Sequence, residues 1–575
     1  MSANDFTNQD SKDGYSVKLW RGERMCLVGM DVDQPEADLV GFAIESKAPG
    51  AADFQPLPNR IAFSYDKPTA VAVTGARLFS SLDAPFQKFR WVHFPHDPKA
   101  GTYRYRVTKM HMPQDDVLKK GTAIELDISL DPVTYDGFLD VGFTRNFASS
   151  QAYAERFGNN PNVIPATVSK GLEFQKLSDP KMKDVYRWLG FEAYDLLFGF
   201  LDEALADPTV TIDVFAYDLN EPDILVRLEQ FGSRLRAIID DSGEHRPATS
   251  AESKAAKRLK ASAGADHVHR THFSSLQHNK VFLVRKNGTP DRVLFGSTNF
   301  SFRGLYIQAN NVLVCRAAPA AALFGQLFDL AFANPAGYSK TALAAKWNLA
   351  KVDGKPPLTF GLSPHPSDDL TLTPLGAAIE QATSSVFFSI AFLSQTSGPV
   401  RTAIDALATK PLFSYGVVNT TGKLNVHKPD GSIGTVDFEY LADHAPEPFK
   451  GEWSGGKGIN IHHKFVVTDF SLPTAKVYTG SSNLSKTAET KNGDNLVMIE
   501  DCRVATGYAI EAVRVFDHLH FRTTMKDAKK AAKDKKKPPP LKLRKPRTIS
   551  GFPAWFERFY KPGTQLEHDR KLFAR

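Results

Sequence analysis

Two stretches of this chain repeat one short pattern, and the fold is predicted from that repeat. The first copy reads HNKVFLV over residues 278–284 and GSTNFS over residues 296–301. The second copy reads HHKFVV over residues 462–467 and GSSNLS over residues 480–485. The offset between the copies is constant, because the histidine and the glycine are equally far apart in both. This spacing indicates one structural unit that occurs twice.

The apolar run that follows each histidine predicts a strand. In an extended strand residues i and i+2 point to the same face, so we expect His278 to project with Lys280 and His462 with Lys464. The Gly-Ser-x-Asn segment follows a second apolar run, where glycine permits a turn and the hydroxyl and amide groups offer hydrogen bonds. A lone copy of either pattern is usually surface decoration or an ordinary turn. A duplicate that keeps all these residue types indicates an anion site shared by the two copies.

These residue types suit phosphodiester chemistry. Two lysines with Ser and Asn donors can stabilise the negative charge that builds on phosphate oxygens without a metal ion. Two imidazoles with ordinary pKa values of about 6.5 can divide the remaining work, one attacking phosphorus and one protonating the leaving oxygen. The catalytic candidates are therefore His278, His462, Lys280, Lys464, Asn299 and Asn483, with Ser297 and Ser481 as phosphate-binding candidates.

Other residue types that bind metals form no comparable pattern. His267, His269 and His272 precede the first motif in a predicted polar loop, where we expect them to be solvated. The three cysteines are far apart and odd in number, which argues against a disulfide framework and against a thiolate zinc site. We expect neither a metal nor a cofactor.

These motifs resemble the phospholipase D superfamily, whose mark is His-x-Lys, four residues, Asp, and Gly-Ser-x-Asn downstream. The second copy matches this mark with Asp469, whereas Arg285 stands at the acidic position of the first copy. In the family this Asp mainly supports the fold. Asn311 and Asn495 stand where relatives often have a Glu that orients the histidine, and Asp494 is a neighbour that can compensate. The resemblance thus implies supporting roles for Asp469, Asn311 and Asn495.

The resemblance covers roughly Lys170 to Arg522 and implies an α/β fold in which two α/β/α sandwiches form a pseudo-twofold pair. It also implies a mechanism in which one histidine forms a covalent phosphohistidine while the other acts as general acid and then as base. We expect His278 to be the nucleophile, because relatives often attack with the N-terminal copy.

The sequence predicts four segments. Short alternating runs such as 102–107 and 123–130 predict an N-terminal β-sandwich accessory domain. An amphipathic helix from Val185 to Ala204 and a buried-looking strand at 210–217 then begin an α/β order that recurs later in the chain. The predicted boundaries are 1–150 for the β-sandwich, 151–345 and 346–523 for two phospholipase D-like domains, and 524–575 for a basic Lys/Pro-rich segment with a C-terminal extension.

The net charge of +7 is concentrated in one segment. Lys526–Arg547 contains eleven Lys and Arg and two Asp, so the rest of the chain is close to neutral. This distribution does not favour a basic nucleic-acid groove. The segment is either a solvated linker or a contact with an anionic membrane, and Phe449 and Trp453 are further candidates for a lipid interface. No transmembrane segment or targeting signal is legible, so we expect a cytoplasmic monomer with possible peripheral membrane contact.

Three functions use this machinery, and the fold does not choose among them. The first is hydrolysis or transfer of a phosphodiester, with a phospholipid headgroup favoured by the two motifs in one chain. The second is a metal-independent nuclease acting on DNA or RNA, which the polybasic segment favours through contacts with phosphates. The third is a catalytically degenerate anion-binding scaffold, which Arg285, Asn311 and Asn495 favour.

Overall fold

The structure is a computed structural model that describes most of the chain. It describes residues 6–59, 61–64, 70–71, 77–145, 153, 156–157, 160, 162–182, 184–396, 398–420, 423–428, 432–437, 461–532 and 542–575. Phe449 and Trp453 lie outside the described residues, as do the side chains of residues 519–541, which include most of Lys526–Arg547. Among the residues described, no helix combines the length and the apolar character needed to cross a bilayer.

The N-terminal region consists of antiparallel sheets with a shared apolar core. Its strands are β1 (Thr7–Lys12), β2 (Tyr15–Arg21), β3 (Cys26–Val32), β4 (Leu39–Lys47), β5 (Gln55–Pro56), β6 (Pro58–Asn59), β7 (Ala70–Val71), β8 (Arg77–Ser80), β9 (Arg90–His93), β10 (Thr102–His111) and β11 (Lys119–Ser129). The two main sheets have the orders β1-β2-β3-β9 and β11-β10-β4-β5. Inward-facing residues of both sheets, such as Val28 and Val107, meet in one cluster. The predicted β-rich region is confirmed.

The second region is a mixed sheet with helices. Its strands are β12 (Leu139–Phe143), β13 (Val210–Ala216), β14 (Leu235–Ile239), β15 (Val268–Arg270), β16 (Val281–Lys286), β17 (Thr289–Gly296) and β18 (Asn311–Cys315). Its helices are α1 (Val185–Ala206), α2 (Pro222–Gln230), α3 (Ala251–Ala263) and α4 (Ala318–Ala333). The strand order is β12-β18-β17-β16-β13-β14-β15. Helix α1 matches the amphipathic helix predicted from Val185, and it ends before Asp207-Pro208 because proline disrupts helical continuation.

The third region repeats this plan. Its strands are β19 (Asn348–Ala350), β20 (Leu358–Leu362), β21 (Ser385–Ile390), β22 (Phe413–Thr420), β23 (Lys423–His427), β24 (Ile433–Asp437), β25 (Lys464–Thr468), β26 (Lys476–Gly480) and β27 (Asn495–Ile499). Its helices are α5 (Asp369–Gln381), α6 (Pro399–Ala406), α7 (Lys486–Thr490) and α8 (Cys502–Ala532). The order β27-β26-β25-β21-β22 corresponds to β18-β17-β16-β13-β14. Strands β13 and β21 occupy equivalent positions. Each runs parallel to one neighbour, β14 or β22, and antiparallel to the motif strand on its other side, β16 or β25. The predicted α/β fold is confirmed.

The structure differs from the predicted boundary at residue 150. Strand β12 pairs antiparallel with β18, so residues 139–143 belong to the sheet of the first motif rather than to the β-sandwich. Every residue of β12 is buried, because the strand has neighbours on both faces. A domain boundary before Leu139 fits the pairing of β12 with β18.

The C-terminal extension is folded onto the N-terminal region. It contains α9 (Arg547–Ser550) and α10 (Gln565–Ala574). Trp555 and Phe559 belong to the apolar core of the β-sandwich, and Trp20 donates a hydrogen bond to the carbonyl of Phe573 at 2.7 Å. The positively charged Arg570 pairs with buried Asp31. Residues 542–575 are thus part of the folded body, whereas the prediction placed them in one segment with the basic Lys/Pro-rich stretch.

Candidate active site

Both motifs lie where an apolar strand begins or ends. His278 and Lys280 immediately precede β16, and Lys464 opens β25. Gly296 ends β17 with a φ of +146°, a left-handed value that favours glycine. A Cβ atom at Gly296 would lie 2.6 Å from the carbonyl oxygen of Asn311, so the turn requires glycine for space as well. Gly480 has the equivalent conformation, with a φ of +142°.

The two copies are joined by crossed backbone hydrogen bonds. The N–H of His278 donates to the carbonyl of Gly493 at 2.9 Å, and the N–H of His462 donates to the carbonyl of Ala309 at 3.0 Å. The two donors occupy equivalent positions of the repeat, and so do the two acceptors. Each motif histidine is therefore fixed to the segment that precedes the last motif strand of the opposite copy.

Each imidazole also forms a hydrogen bond with a side chain of the opposite copy. Nδ1 of His278 lies 2.7 Å from Oδ1 of Asp494, and Nδ1 of His462 lies 2.8 Å from Oδ1 of Asn310. The amide nitrogen of Asn310 donates to the carbonyl of Gly304, so its oxygen must face the imidazole. In both rings Nδ1 therefore donates, and Nε2 carries the lone pair of the neutral form.

Asn311 and Asn495 stand where relatives often have an orienting Glu, but here the residue before each of them contacts the histidine. Oδ1 of Asn311 instead accepts from the backbone N–H of Ser297, and its amide group donates to Thr479 and Tyr508. The amide group of Asn495 donates to Oδ1 of Asn279 at 2.8 Å. These asparagines join the two copies but do not touch the catalytic candidates.

The motif serines hydrogen-bond the partners of the histidines, and their contacts with phosphate stay a prediction. The hydroxyl of Ser297 donates to Oδ1 of Asn310 at 2.8 Å, and that of Ser481 donates to Oδ1 of Asp494 at 2.7 Å. Each hydroxyl also accepts a backbone N–H, from Asn311 or from Asn495. A hydroxyl has one hydrogen to donate, and in this arrangement that hydrogen goes to the partner of a histidine.

The two lysines are buried beside their histidines. Lys464 Nζ lies 2.9 Å from the carbonyl oxygen of His462 and 3.2 Å from Nε2 of the same residue. Lys280 Nζ donates to the carbonyl of His278 and lies 4.7 Å from the ring centroid of Tyr217. Burial lowers the pKa of Lys280 to about 8, and burial with the charge of Lys280 lowers the pKa of Lys464 well below its usual value. A bound anion would favour the charged forms of both lysines.

The histidines are held in their neutral forms. Burial and the charge of Lys280 lower the pKa of His278 despite the opposing charge of Asp494. Burial and the charge of Lys464 lower the pKa of His462 well below its usual value. Burial alone would raise the pKa of Asp494, but its interaction with His278, the charge of Lys280 and the hydrogen bond from Ser481 together lower it below its usual value. A neutral imidazole has the free lone pair that a nucleophile or base needs.

The two motif asparagines have buried side-chain oxygens. Asn299 donates from its amide nitrogen to Oδ2 of Asp218 at 2.7 Å. Among the described residues, no donor reaches the buried side-chain oxygen of Asn299 or that of Asn483. Their phosphate contacts remain a prediction.

Asp469 and Arg285, which occupy equivalent positions, both attach the motif strand to its neighbour. Asp469 accepts backbone N–H groups from residues 383–385, at the start of β21. Arg285 instead pairs with Asp213 of β13 at 2.6 Å and with Asp329 at 3.0 Å. An acidic residue in one strand and a basic residue in the other thus serve the same attachment.

A second group of charged residues lies beside the first motif, and the sequence did not single it out. Nε2 of His245 is 3.2 Å from Oδ1 of Asp218 and 4.0 Å from Oε1 of Glu252, while its Nδ1 is 2.8 Å from Oδ2 of Asp240. Ligand atoms of Asp218, His245 and Glu252 lie within 4.8 Å of one another, close enough to hold a divalent cation. Burial lowers the pKa of His245, but the hydrogen bonds of Asp218 and Asp240 outweigh it and raise the value to about 10. A protonated imidazole therefore already supplies a positive charge there.

The three histidines of the predicted polar loop have separate partners. His267 contacts the carbonyl of Leu235, His269 lies in β15 and stacks on Phe332, and His272 pairs with Asp241. His463 is buried and its ring packs against Phe143 rather than beside that of His462.

Comparison with known proteins identifies the region of the first motif. Residues 201–331 match the family model described as cardiolipin synthase, PLD-like domain. No curated protein matches the chain. Among solved structures, a phosphatidylserine synthase from Haemophilus influenzae Rd KW20 is similar at 10% identity, with 61% of this chain and 94% of that chain covered and a TM-score of 0.39.

Two further solved structures are similar with lower TM-scores. The phospholipase D family member Nuc from Salmonella typhimurium matches at 19% identity over 29% of this chain and 96% of its own, with a TM-score of 0.18. Yeast tyrosyl-DNA phosphodiesterase matches at 12% identity over 52% of this chain and 84% of its own, with a TM-score of 0.28. The match of residues 201–331 to a PLD-like domain confirms the predicted resemblance to the phospholipase D superfamily for this part of the chain.

Proposed function

We propose that this chain is a phosphodiesterase of phospholipase D type that uses a covalent phosphohistidine and needs no cofactor or metal ion. The observation that carries the proposal is the crossed arrangement in which His278 pairs with Asp494 and His462 with Asn310, each beside a buried lysine. Both halves of the centre come from one chain, which supports a monomer as the active form.

The first step is attack by Nε2 of His278 on phosphorus. The bond from phosphorus to the leaving oxygen breaks, and that oxygen takes a proton from Nε2 of His462. Lys280, Lys464, Asn299 and Asn483 stabilise the negative charge on the non-bridging oxygens. The anionic substrate also offsets the lysine charges that lower the pKa of His462, so binding favours the protonated form that the step requires.

The second step returns the enzyme to its starting state. His462, now neutral, removes a proton from water or from an acceptor alcohol, whose oxygen attacks phosphorus. The phosphorus–nitrogen bond breaks and His278 leaves. Water gives hydrolysis, and an alcohol gives transfer.

The unequal partners of the histidines support His278 as the nucleophile. Attack places a positive charge on the imidazole, and the carboxylate of Asp494 stabilises that charge through Nδ1–H. Asn310 is neutral and leaves His462 freer to release its proton.

A phospholipid headgroup is the substrate class we favour. The near-neutral body and the carboxylate of Asp218 beside Asn299 disfavour a polyanion such as DNA. The matching family model is named for a cardiolipin synthase, which supports a lipid phosphodiester and makes transfer to an alcohol as reasonable as hydrolysis. Under this proposal Lys526–Arg547 contacts anionic headgroups, and the protein is cytoplasmic with peripheral membrane contact.

The test compares wild type with His278→Ala, His462→Ala and the double variant on an aryl phosphodiester in the presence of EDTA. We expect all three variants to lose turnover, and an acid-labile phosphohistidine to form at residue 278 only in the proteins that keep His278. His269→Gln serves as the control, because that ring stacks on Phe332 away from the motifs. Equal rates for wild type and the double variant would favour the anion-binding scaffold instead.

The substrate is tested separately with phosphatidylcholine and phosphatidylglycerol vesicles and with plasmid and single-stranded DNA. We expect release or exchange of the headgroup and intact DNA. Cleavage of DNA with unaltered lipid would favour the metal-independent nuclease.

A further inference from the structure

A chain of hydrogen bonds joins the two separate parts of the first motif. It begins at Asn299 of the Gly-Ser-Thr-Asn turn, whose amide nitrogen donates to Oδ2 of Asp218 at 2.7 Å. The other oxygen of Asp218 lies 3.2 Å from Nε2 of His245. The conformation of Asn299 thus depends on a carboxylate that His245 holds.

The chain continues from the other nitrogen of His245. Nδ1 lies 2.8 Å from Oδ2 of Asp240, and Oδ1 of Asp240 accepts the backbone N–H of Gln277 at 2.7 Å. The side chain of Gln277 in turn accepts the N–H of Asn279 at 3.0 Å and donates to its carbonyl at 3.2 Å. Gln277 and Asn279 flank His278, so this branch fixes the backbone that carries the candidate nucleophile.

The ring of Tyr217 packs against the rings of both His245 and His278. Its centroid is 4.5 Å from that of His245 and 4.7 Å from that of His278, with edge-to-face geometry in both cases. A displacement of His245 therefore reaches His278 through packing as well as through hydrogen bonds.

Charge explains why a histidine occupies this position. Asp218, Asp240 and Glu252 approach one imidazole in a largely buried region, where unpaired carboxylates are costly. A protonated imidazole donates at both nitrogens and so binds two carboxylates that point in different directions. An amide or hydroxyl side chain cannot supply that charge.

We propose that His245 is a positioning residue, which acts through Asp218 on Asn299 and through Asp240 on the segment that carries His278. The second copy has no such chain among the described residues. Ile461 stands at the position equivalent to Gln277, and its hydrocarbon side chain cannot form the hydrogen bonds that Gln277 makes with the backbone of Asn279. The added support is thus confined to the half of the centre that attacks phosphorus, where errors of position cost most.

This inference rests on the proposed function. The test measures kcat and, separately, the fraction of molecules whose phosphate site is intact. The variants are His245→Ala and His245→Gln, with Asp218→Asn as a milder change that keeps the shape of the side chain. His272→Gln is the matched control, because His272 forms a similar pair with Asp241 that does not reach the motif. For each protein, kcat and KM are measured on the aryl phosphodiester, and calorimetry with tungstate counts the intact sites.

We expect the His245 variants and Asp218→Asn to bind one tungstate per chain, with KM within about twofold of wild type and kcat lower by about 10- to 100-fold. His272→Gln should match wild type. The inference is overturned if tungstate stoichiometry falls in proportion to kcat, which indicates a structural role, or if His245→Gln and Asp218→Asn keep the wild-type kcat. A wild type as inactive as His278→Ala would remove the proposed function, and the inference with it.

Discussion

The carboxylate of Asp494 accepts a hydrogen bond from Nδ1 of His278 across 2.7 Å, although the two residues belong to opposite copies of the repeat. The equivalent contact in the other half is made by Asn310 to His462 at 2.8 Å. The two halves thus share their geometry and differ in charge. That difference is the physical basis for unequal roles of the two histidines.

Asp494→Asn is expected to make the two halves alike. The amide oxygen can still accept from Nδ1 of His278, but the charge that stabilises the imidazolium is lost. We expect kcat for the aryl phosphodiester to fall by a factor on the order of 100 or more. Rapid-quench labelling should show slower formation of the phosphohistidine at residue 278. Unchanged labelling, or a label on His462, would contradict the assignment of the nucleophile.

Asn310→Asp is expected to change the pH dependence. Burial and Lys464 hold the pKa of His462 well below its usual value, and a carboxylate beside Nδ1 favours the protonated form and so raises that pKa. Because the first step needs protonated His462, the alkaline limb of kcat/KM should move to higher pH. A pH–rate profile of both proteins checks this. A limb that stays in place or moves to lower pH would show that His462 is not the acid.

The sequence was sufficient for the fold class and for the pairing of the motifs, because those depend on local patterns. Alternating apolar residues predict strands wherever they occur, and the constant offset between the two copies required equivalent positions for His278 and His462. The sequence did not predict that β12 belongs to the sheet of the first motif, because this depends on its pairing with β18, which is remote from it in the chain.

The partners of the catalytic candidates were harder to predict. Asn311 and Asn495 open the apolar strands and so drew attention, but a strand alternates its side chains, and the preceding residues, Asn310 and Asp494, face the histidines. His245 is separated from the first motif by a helix and a strand, and only folding brings it there. The one available signal in the sequence was that acidic residues follow two consecutive strands, Asp218 after β13 and Asp240-Asp241 after β14. Acidic residues are common at the ends of parallel strands.

Asp469→Ala is expected to affect stability rather than chemistry. Asp469 accepts the backbone N–H groups of residues 383–385, and its removal leaves those donors without a partner at the start of β21. We expect the free energy of unfolding to fall by about 2–4 kcal/mol, with kcat per folded molecule unchanged. Urea denaturation and kinetics at low temperature measure the two effects. A large loss of kcat in fully folded protein would assign Asp469 to the catalytic centre.

Lys280→Met is expected to stabilise the free protein while abolishing catalysis. Burial lowers the pKa of Lys280 from 10.5 to about 8. Below pH 8 the folded state therefore bears the full cost of a buried charge, and between about pH 8 and 10.5 that cost disappears because the folded state releases the proton first. The free energy of unfolding of wild type should rise by up to a few kcal/mol across that range relative to Lys280→Met. Urea denaturation at pH 7, 8.5 and 10 would measure this difference, with Lys286→Met, which removes an exposed lysine, as the control. Parallel pH curves for wild type and Lys280→Met would mean that Lys280 keeps an ordinary pKa.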